Sequence, residues 1–378
     1  MIYFDNAATT QMSDLALSTL INLSKMNYGN ASAIYGFGRK AKEMLEEARS
    51  IIAESIGAFA DEIFFTSGGT ESDNWAVSQA KTFAKRIITS SIEHHAILNP
   101  IKLLEKSGYD IKILPVDSGC NISLNKLEQV LDDRRSFVSV MMQNNETGVR
   151  QDISSFAEIV HKYNSKSIFH TDAVQAVGHR KINVHELGVD MLSASAHKFN
   201  GPKGVGFLYI SRNIKPTSFI YGGGQESGLR SGTENVAGVY SMAKALEENM
   251  SQIEYIDKHI QNLENLFFRT MSDSGIHYEL NGTMKNKAVG IINISIDGVD
   301  GEGLLNMLDM HDICVSVGSA CNSKSKEHSH VLTAMGIDEN RIESSIRISM
   351  GRFNSEEEVK ELVFWIKKFY QLSLNTTI

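Results

Sequence analysis

Lys198 closes the run Ser193-Ala194-Ser195-Ala196-His197-Lys198 and stands just before the turn Asn200-Gly201-Pro202-Lys203-Gly204. A strand of small residues ending in Ser-x-His-Lys presents an amine at its carboxyl end, with a hydroxyl and an imidazole beside it. The amine can form a Schiff base with a carbonyl group, and its neighbours can donate hydrogen bonds to a phosphate. Most lysines before a Gly-Pro turn are solvated surface groups, so the reading of Lys198 rests on what else the chain brings to that edge.

The segment Ile63-Phe64-Phe65-Thr66-Ser67-Gly68-Gly69-Thr70-Glu71 runs from a strand through a glycine turn toward a helix. Gly69 lets the backbone approach an anion, the helix start turns unpaired N–H groups toward it, and Thr70 adds a hydroxyl. No Gly-Lys-Ser/Thr follows, so this is not a nucleoside-triphosphate loop. His94, in Ile92-Glu93-His94-His95-Ala96, follows the next strand and can stack on a ring or move protons. Asn145 lies in Asn144-Asn145-Glu146-Thr147-Gly148 after another strand, and Asp172 and Gln175 follow a fourth, spaced to share one face of a turn. A carboxylate held against a pyridine nitrogen keeps that nitrogen protonated, and the ring then accepts carbanion electrons. Singly, Thr70 and Asp172 also read as helix caps and His94 as a surface group. Together, Thr70, His94, Asn145, Asp172 and Lys198 make the set that pyridoxal 5'-phosphate requires.

These residues need a sheet to align them. Strand-like runs at 63–66, 86–89, 111–114, 137–141 and 167–170 alternate with stretches of helical spacing such as 152–163, which predicts an α/β fold with a mostly parallel sheet covered by helices. From 234 to 273 the chain is charged and helical, and afterwards strands at 290–295 and 345–349 alternate with helices again. The expectation is a large cofactor-binding domain over 12–255 and a smaller α+β domain formed by 1–11 with 256–378. With 378 residues, 42% hydrophobic content and a net charge of -8, the chain has the makings of a large core and is not built as a polyanion binder, so no direct nucleic-acid binding is expected. No basic-then-apolar leader opens it and no run has membrane-spanning length, which points to a cytoplasmic protein with no membrane association. Cys120, Cys314 and Cys321 form no CxxC pair and cannot all be paired within the chain, which suits a reducing compartment. No metal site is assigned.

The chain resembles the cysteine desulfurases of the NifS/IscS-like class, within the class-V aminotransferases. The blocks that carry the likeness are Thr66-Ser67-Gly68-Gly69-Thr70-Glu71, Asn144 to Gly148, the Lys198 segment, Gly222-Gly223-Gly224-Gln225-Glu226 with Arg230-Ser231-Gly232-Thr233, and Gly318-Ser319-Ala320-Cys321. The resemblance implies a fold-type I pyridoxal-phosphate transferase with a large, mostly parallel, seven-stranded-type sheet domain and a smaller α+β domain. It implies Lys198 as the Schiff-base lysine, His94 as the residue stacked on the ring and Asp172 as the partner of the pyridine nitrogen. Asn145 and Gln175 would meet the ring hydroxyl, and Gly69, Thr70, Ser195 and His197 the phosphate. Thr233 would reach the phosphate of a neighbouring subunit in a homodimer, and Arg347 and Asn30 would hold the substrate α-carboxylate. The chain departs from the family pattern at Ala31, Tyr35, Val289-Gly290 and His328, none of which removes a group of these kinds.

By the same resemblance Cys321 is the sulfur carrier that takes a persulfide from L-cysteine and hands it to an acceptor protein, for iron-sulfur cluster assembly or tRNA and cofactor thiolation. Its surroundings, Val317-Gly318-Ser319-Ala320-Cys321-Asn322-Ser323-Lys324, are small and polar, so a mobile loop over about 317–330 is expected, with nearby lysines favouring the thiolate. Cys120 and Cys314 read as inert, Cys314 as part of a core strand. The competing readings are a selenocysteine lyase, an aminotransferase or a sulfur-pathway scaffold without activity. Product analysis separates alanine and sulfide from the keto acid of an aminotransferase, and failure to take up pyridoxal phosphate would mark the scaffold.

Overall fold

The computed structural model describes residues 1–317 and 328–376. Its strands, in chain order, are β1 (Ile2–Tyr3), β2 (Ile63–Thr66), β3 (Arg86–Ser90), β4 (Asp110–Leu114), β5 (Ser136–Ser139), β6 (Ile168–Asp172), β7 (Met191–Ser195), β8 (Gly206–Ile210), β9 (Tyr278–Leu280), β10 (Ile291–Ile296), β11 (Ile313–Cys314) and β12 (Ser345–Ser349). Seven of them form one sheet in the order β2-β8-β7-β6-β5-β3-β4. Neighbours from β4 to β7 pair in parallel, whereas β8 runs antiparallel to both β7 and β2. Two successive reversals leave β2 parallel to β7, so β2, β3, β5, β6 and β7 all end at one edge.

Helices cover both faces, as the alternation along the strands requires. Phe169, Leu192, Phe207 and Val138 point into the larger core, while their chain neighbours Ile168, Met191, Leu208 and Phe137 point into the opposite one with Trp75. The expected strands therefore appear within a few residues of their positions. The reversed β8 is the addition, a short return from β7 through the Asn200–Gly204 turn.

A separate core gathers Phe4, Phe267, Ile292, Ile346 and Leu362 around the antiparallel sheet β12-β10-β9 and the parallel pair β1-β11. Helix Ile253–Ser274 and helix Glu356–Thr376 pack on it, the long charged stretch having resolved into helices Val236–Ser251 and Ile253–Ser274. Single bridges, Asp5 to Ser349 and Ser316 to Arg347, tie the two small sheets together along β12. Cys314 is in a strand as expected but is only half-buried, because β11 is a two-residue edge strand. Cys120 is fully buried, and burial pushes its thiol up to about 12. No helix among the described residues is long and apolar enough to cross a membrane.

Candidate active site

The common edge of the large sheet opens into a cavity of about 330 Å³ lined by Gly69, Thr70, His94, Asn145, Asp172, Gln175, Ser195, His197, Lys198 and Arg347. All but Arg347 arrive from the ends of β2, β3, β5, β6 and β7. β2 leads through Gly68, at φ 149°, into helix Gly69–Phe83, and a Cβ on Gly69 would lie 2.6 Å from Val174 Cγ2, so only glycine lets the helix start sit this close to the Asp172 turn. After β3, His94 caps helix His95–Lys106, its Nδ1 accepting the Ala96 N–H at 3.1 Å. Asp172 ends β6 and accepts the Val174 N–H on one oxygen at 2.9 Å. Gln175, in the turn that follows, donates to the Ala7 carbonyl at 2.9 Å.

The Lys198 amine donates to the carbonyls of Ala7 and Ala8, both at 2.7 Å. The amino-terminal segment is thus a wall of the site. His197 contacts the Thr9 hydroxyl through Nδ1 at 3.1 Å, and Thr10 bonds the His197 carbonyl. Opposite the sheet edge stands Arg347, from β12 and fully buried. One terminal nitrogen donates to the Asn145 carbonyl at 3.1 Å and the other to Asp5 at 2.6 Å, while Nε has no partner among the described residues.

Burial governs the charges here. It raises Asp172 to about 6 against the opposing pull of the Val174 N–H and Lys198, and it holds Asp73, on the helix behind, well above the usual carboxylate range with help from Asp172 itself. Asp73 lies 3.7 Å from His170, which is fully buried, bonded to Ser139 and Ser193, and lowered by that burial to about 3. His94 and His197 are both lowered to about 4, first by burial and then by the Lys198 charge. Both imidazoles are therefore neutral near pH 7.

Asn30 and Thr233 lie outside this cavity. Asn30 is exposed and caps its own turn by accepting the Ser32 N–H, next to a different cavity of about 500 Å³ lined by Ala31 and Ser32. Thr233 is exposed beside Glu226 and Arg230, on a loop held by paired Arg49–Glu226 and Arg230–Glu71 contacts. Cys321 falls outside the described residues. The sequence reading missed His95, Glu146 and His330, which also line the cavity, and Glu93 behind them. The doublet His94-His95 and the acid of Asn-Asn-Glu were the available signals; His330 had none.

A model of the class-V aminotransferases matches residues 2–362. The cysteine desulfurase IscS of Dictyoglomus turgidum is 42% identical over 95% of this chain and 91% of its own length, and that of Methanosarcina thermophila is 40% identical over 98% and 92%. The chain belongs to the class-V aminotransferases, among the cysteine desulfurases. A solved NifS-like protein superposes on this family member with a TM-score of 0.92, at 37% identity over 98% of the chain and 99% of that structure, so the α/β fold is shared as well. The family is pyridoxal-phosphate dependent, and this desulfurase-family site fits the cofactor. A helix start with hydroxyls beside it suits the phosphate, a buried carboxyl lacking a full countercharge suits a pyridinium, and an amine stands at the same strand edge.

Proposed function

We propose that this protein converts L-cysteine to L-alanine and takes the sulfur as a persulfide on Cys321. The observation that carries the reading is the joint placement of Lys198, Asp172 and Arg347 around one cavity. Pyridoxal 5'-phosphate bound there supplies an electron sink for the substrate α-carbon. Thr70, Ser195, His197 and the Gly69 helix start would hold its phosphate, Asp172 would keep the ring nitrogen protonated, and His94, Asn145 and Gln175 would bind the ring. The Arg347 guanidinium offers paired planar donors to the substrate carboxylate, and the Lys198 amine takes the α-proton.

The Cys321 thiolate then forms an S–S bond to the substrate sulfur as the C–S bond breaks. The electron pair of that bond stays with carbon, which is protonated, so L-cysteine and the Cys321 thiol become L-alanine and the Cys321 persulfide. Ser316 is bridged to Arg347, and Cys321 stands five residues further along the chain.

The working form is a homodimer in the cytoplasm, in which Thr233 reaches the partner's phosphate site and Asn30 acts from the same kind of exposed loop. A sulfur-acceptor protein, an iron-sulfur scaffold or a tRNA-thiolating enzyme, takes the persulfide onward. Alanine and sulfide formed from L-cysteine with a thiol reductant test the reading, with Cys321→Ala compared at matched cofactor content. Loss of sulfide in the variant supports it, and equal release from both overturns the persulfide step.

A further inference from the structure

Two imidazoles that line the cavity are held in opposite senses. His94 uses Nδ1 to accept the Ala96 N–H, so its neutral ring carries the proton on Nε2 and offers no lone pair on Nδ1. His330, the first residue of helix His330–Ala334, places Nε2 3.0 Å from the Glu93 carbonyl oxygen. A carbonyl only accepts, so Nε2 of His330 carries the hydrogen and Nδ1 is a bare acceptor. That Nδ1 is buried and has no hydrogen-bond partner among the described residues.

His330 is fixed in this pose from several sides. Its ring lies 4.7 Å from that of His95, and Ser329 before it donates to Glu146 at 2.5 Å while capping the helix through the Leu332 N–H. The titratable and charged groups around it are Glu93, Glu146, His94, His95, Lys102 and Arg347. Burial first, and Lys102 after it, lower His330 below the ordinary imidazole range against the pull of the Glu93 carbonyl, so the ring stays neutral and Nδ1 stays an acceptor.

A buried acceptor with no partner is costly and calls for a donor. Under the desulfurase reading, on which this inference rests, the substrate brings three polar groups. Its carboxylate has Arg347 and its amine lies on the Lys198 side, which leaves the thiol. We propose that His330 Nδ1 accepts the substrate S–H, so that His330 selects an amino acid with a thiol side chain and fixes the direction of its sulfur.

The test uses a matched pair of ligands without an α-proton, α-methylcysteine and 2-aminoisobutyrate, which differ by the thiol and bind without turnover. Dissociation constants are read from the cofactor absorbance of the holoenzyme. His330→Gln keeps a donor near the Nε2 position, toward Glu93, and loses the acceptor; His330→Asn keeps an acceptor near the Nδ1 position. The expected result is a preference for the thiol ligand that falls about three- to tenfold in H330Q and is retained in H330N, as for one neutral hydrogen bond. The gap between parent and H330Q narrows above pH ~8.5, where the thiol loses its proton. The reverse ranking would mean that the Glu93 contact matters only for placing the helix, and it overturns the proposal, as do three equal preferences. A parent protein that makes no alanine from L-cysteine removes the desulfurase reading and this proposal with it; a parent that does, with unchanged variants, removes this proposal alone.

Discussion

The two walls of the cavity are built by different means. The sheet-side wall takes Thr70, His94, Asn145, Asp172 and Lys198 from successive strand ends of one sheet, so a single architectural rule aligns them. The facing wall is assembled from parts far apart in the chain: Arg347 on β12, His330 on a five-residue helix, and Asp5 and Ala7 from the amino terminus. The first wall holds a carboxyl that burial raises and suits a cationic ring; the second holds a guanidinium whose Nε has no partner among the described residues and suits an anionic substrate. A cofactor site can thus be supplied by topology, while the substrate site beside it needs long-range contacts.

Breaking the sheet-side wall at its amine has the largest expected effect. Lys198→Ala should lower alanine formation from L-cysteine by about 10³-fold or more, the scale of a lost proton-transfer group. It should also abolish α-proton exchange of L-alanine in deuterated water, measured by NMR.

The facing wall should fail differently. Arg347→Lys keeps the charge but loses the paired planar donors, so KM for L-cysteine should rise about 10- to 100-fold, as for charge-assisted hydrogen bonds. Cofactor affinity, measured by equilibrium dialysis, should stay unchanged. A variant that loses cofactor instead would place Arg347 with the first wall.

The contrast in legibility follows the same line. Strand-end patterns mark Thr70, Asp172 and Lys198 because the chemistry sits where local structure changes, and the residues there carry glycine or polar signals. Nothing local marks His330 or Asp5: their neighbours in space are 237 and 342 residues away in sequence. Arg347 was reached by resemblance, not by spacing. The reversal at β8 was also hidden, since a buried strand's composition does not encode its direction.

A smaller effect sharpens the boundary between the walls. Glu93 is fully buried, accepts from Ser90 and the Met141 N–H, and is raised by burial to about 8. A raised carboxyl leaves the fold most stable at low pH and costs stability as pH rises from the unfolded value toward its folded value, because over that range the native state holds a proton the unfolded chain has released. Between pH 6.5 and 8, above the range in which His94, His170 and His197 oppose it, the cofactor-free protein should lose about 2 kcal/mol from this group. Glu93→Gln, which keeps the acceptor, should flatten that slope in urea unfolding at each pH.

The smallest change expected is Ser329→Ala, which removes the contact to Glu146 and a cap on the His330 helix. A loss of about 1–2 kcal/mol is the scale for such a cap. Its effect should fall on kcat/KM for L-cysteine by a few fold, with a smaller effect on cofactor affinity, since it acts mainly through the His330 helix.

The central claim is that the two walls together deliver sulfur to Cys321. Mixing the holoenzyme with one equivalent of L-cysteine, without reductant, and mapping mass by peptide should show one added sulfur on the Cys321 peptide with one alanine formed. Alanine with free sulfide and an unmodified Cys321 peptide would contradict it.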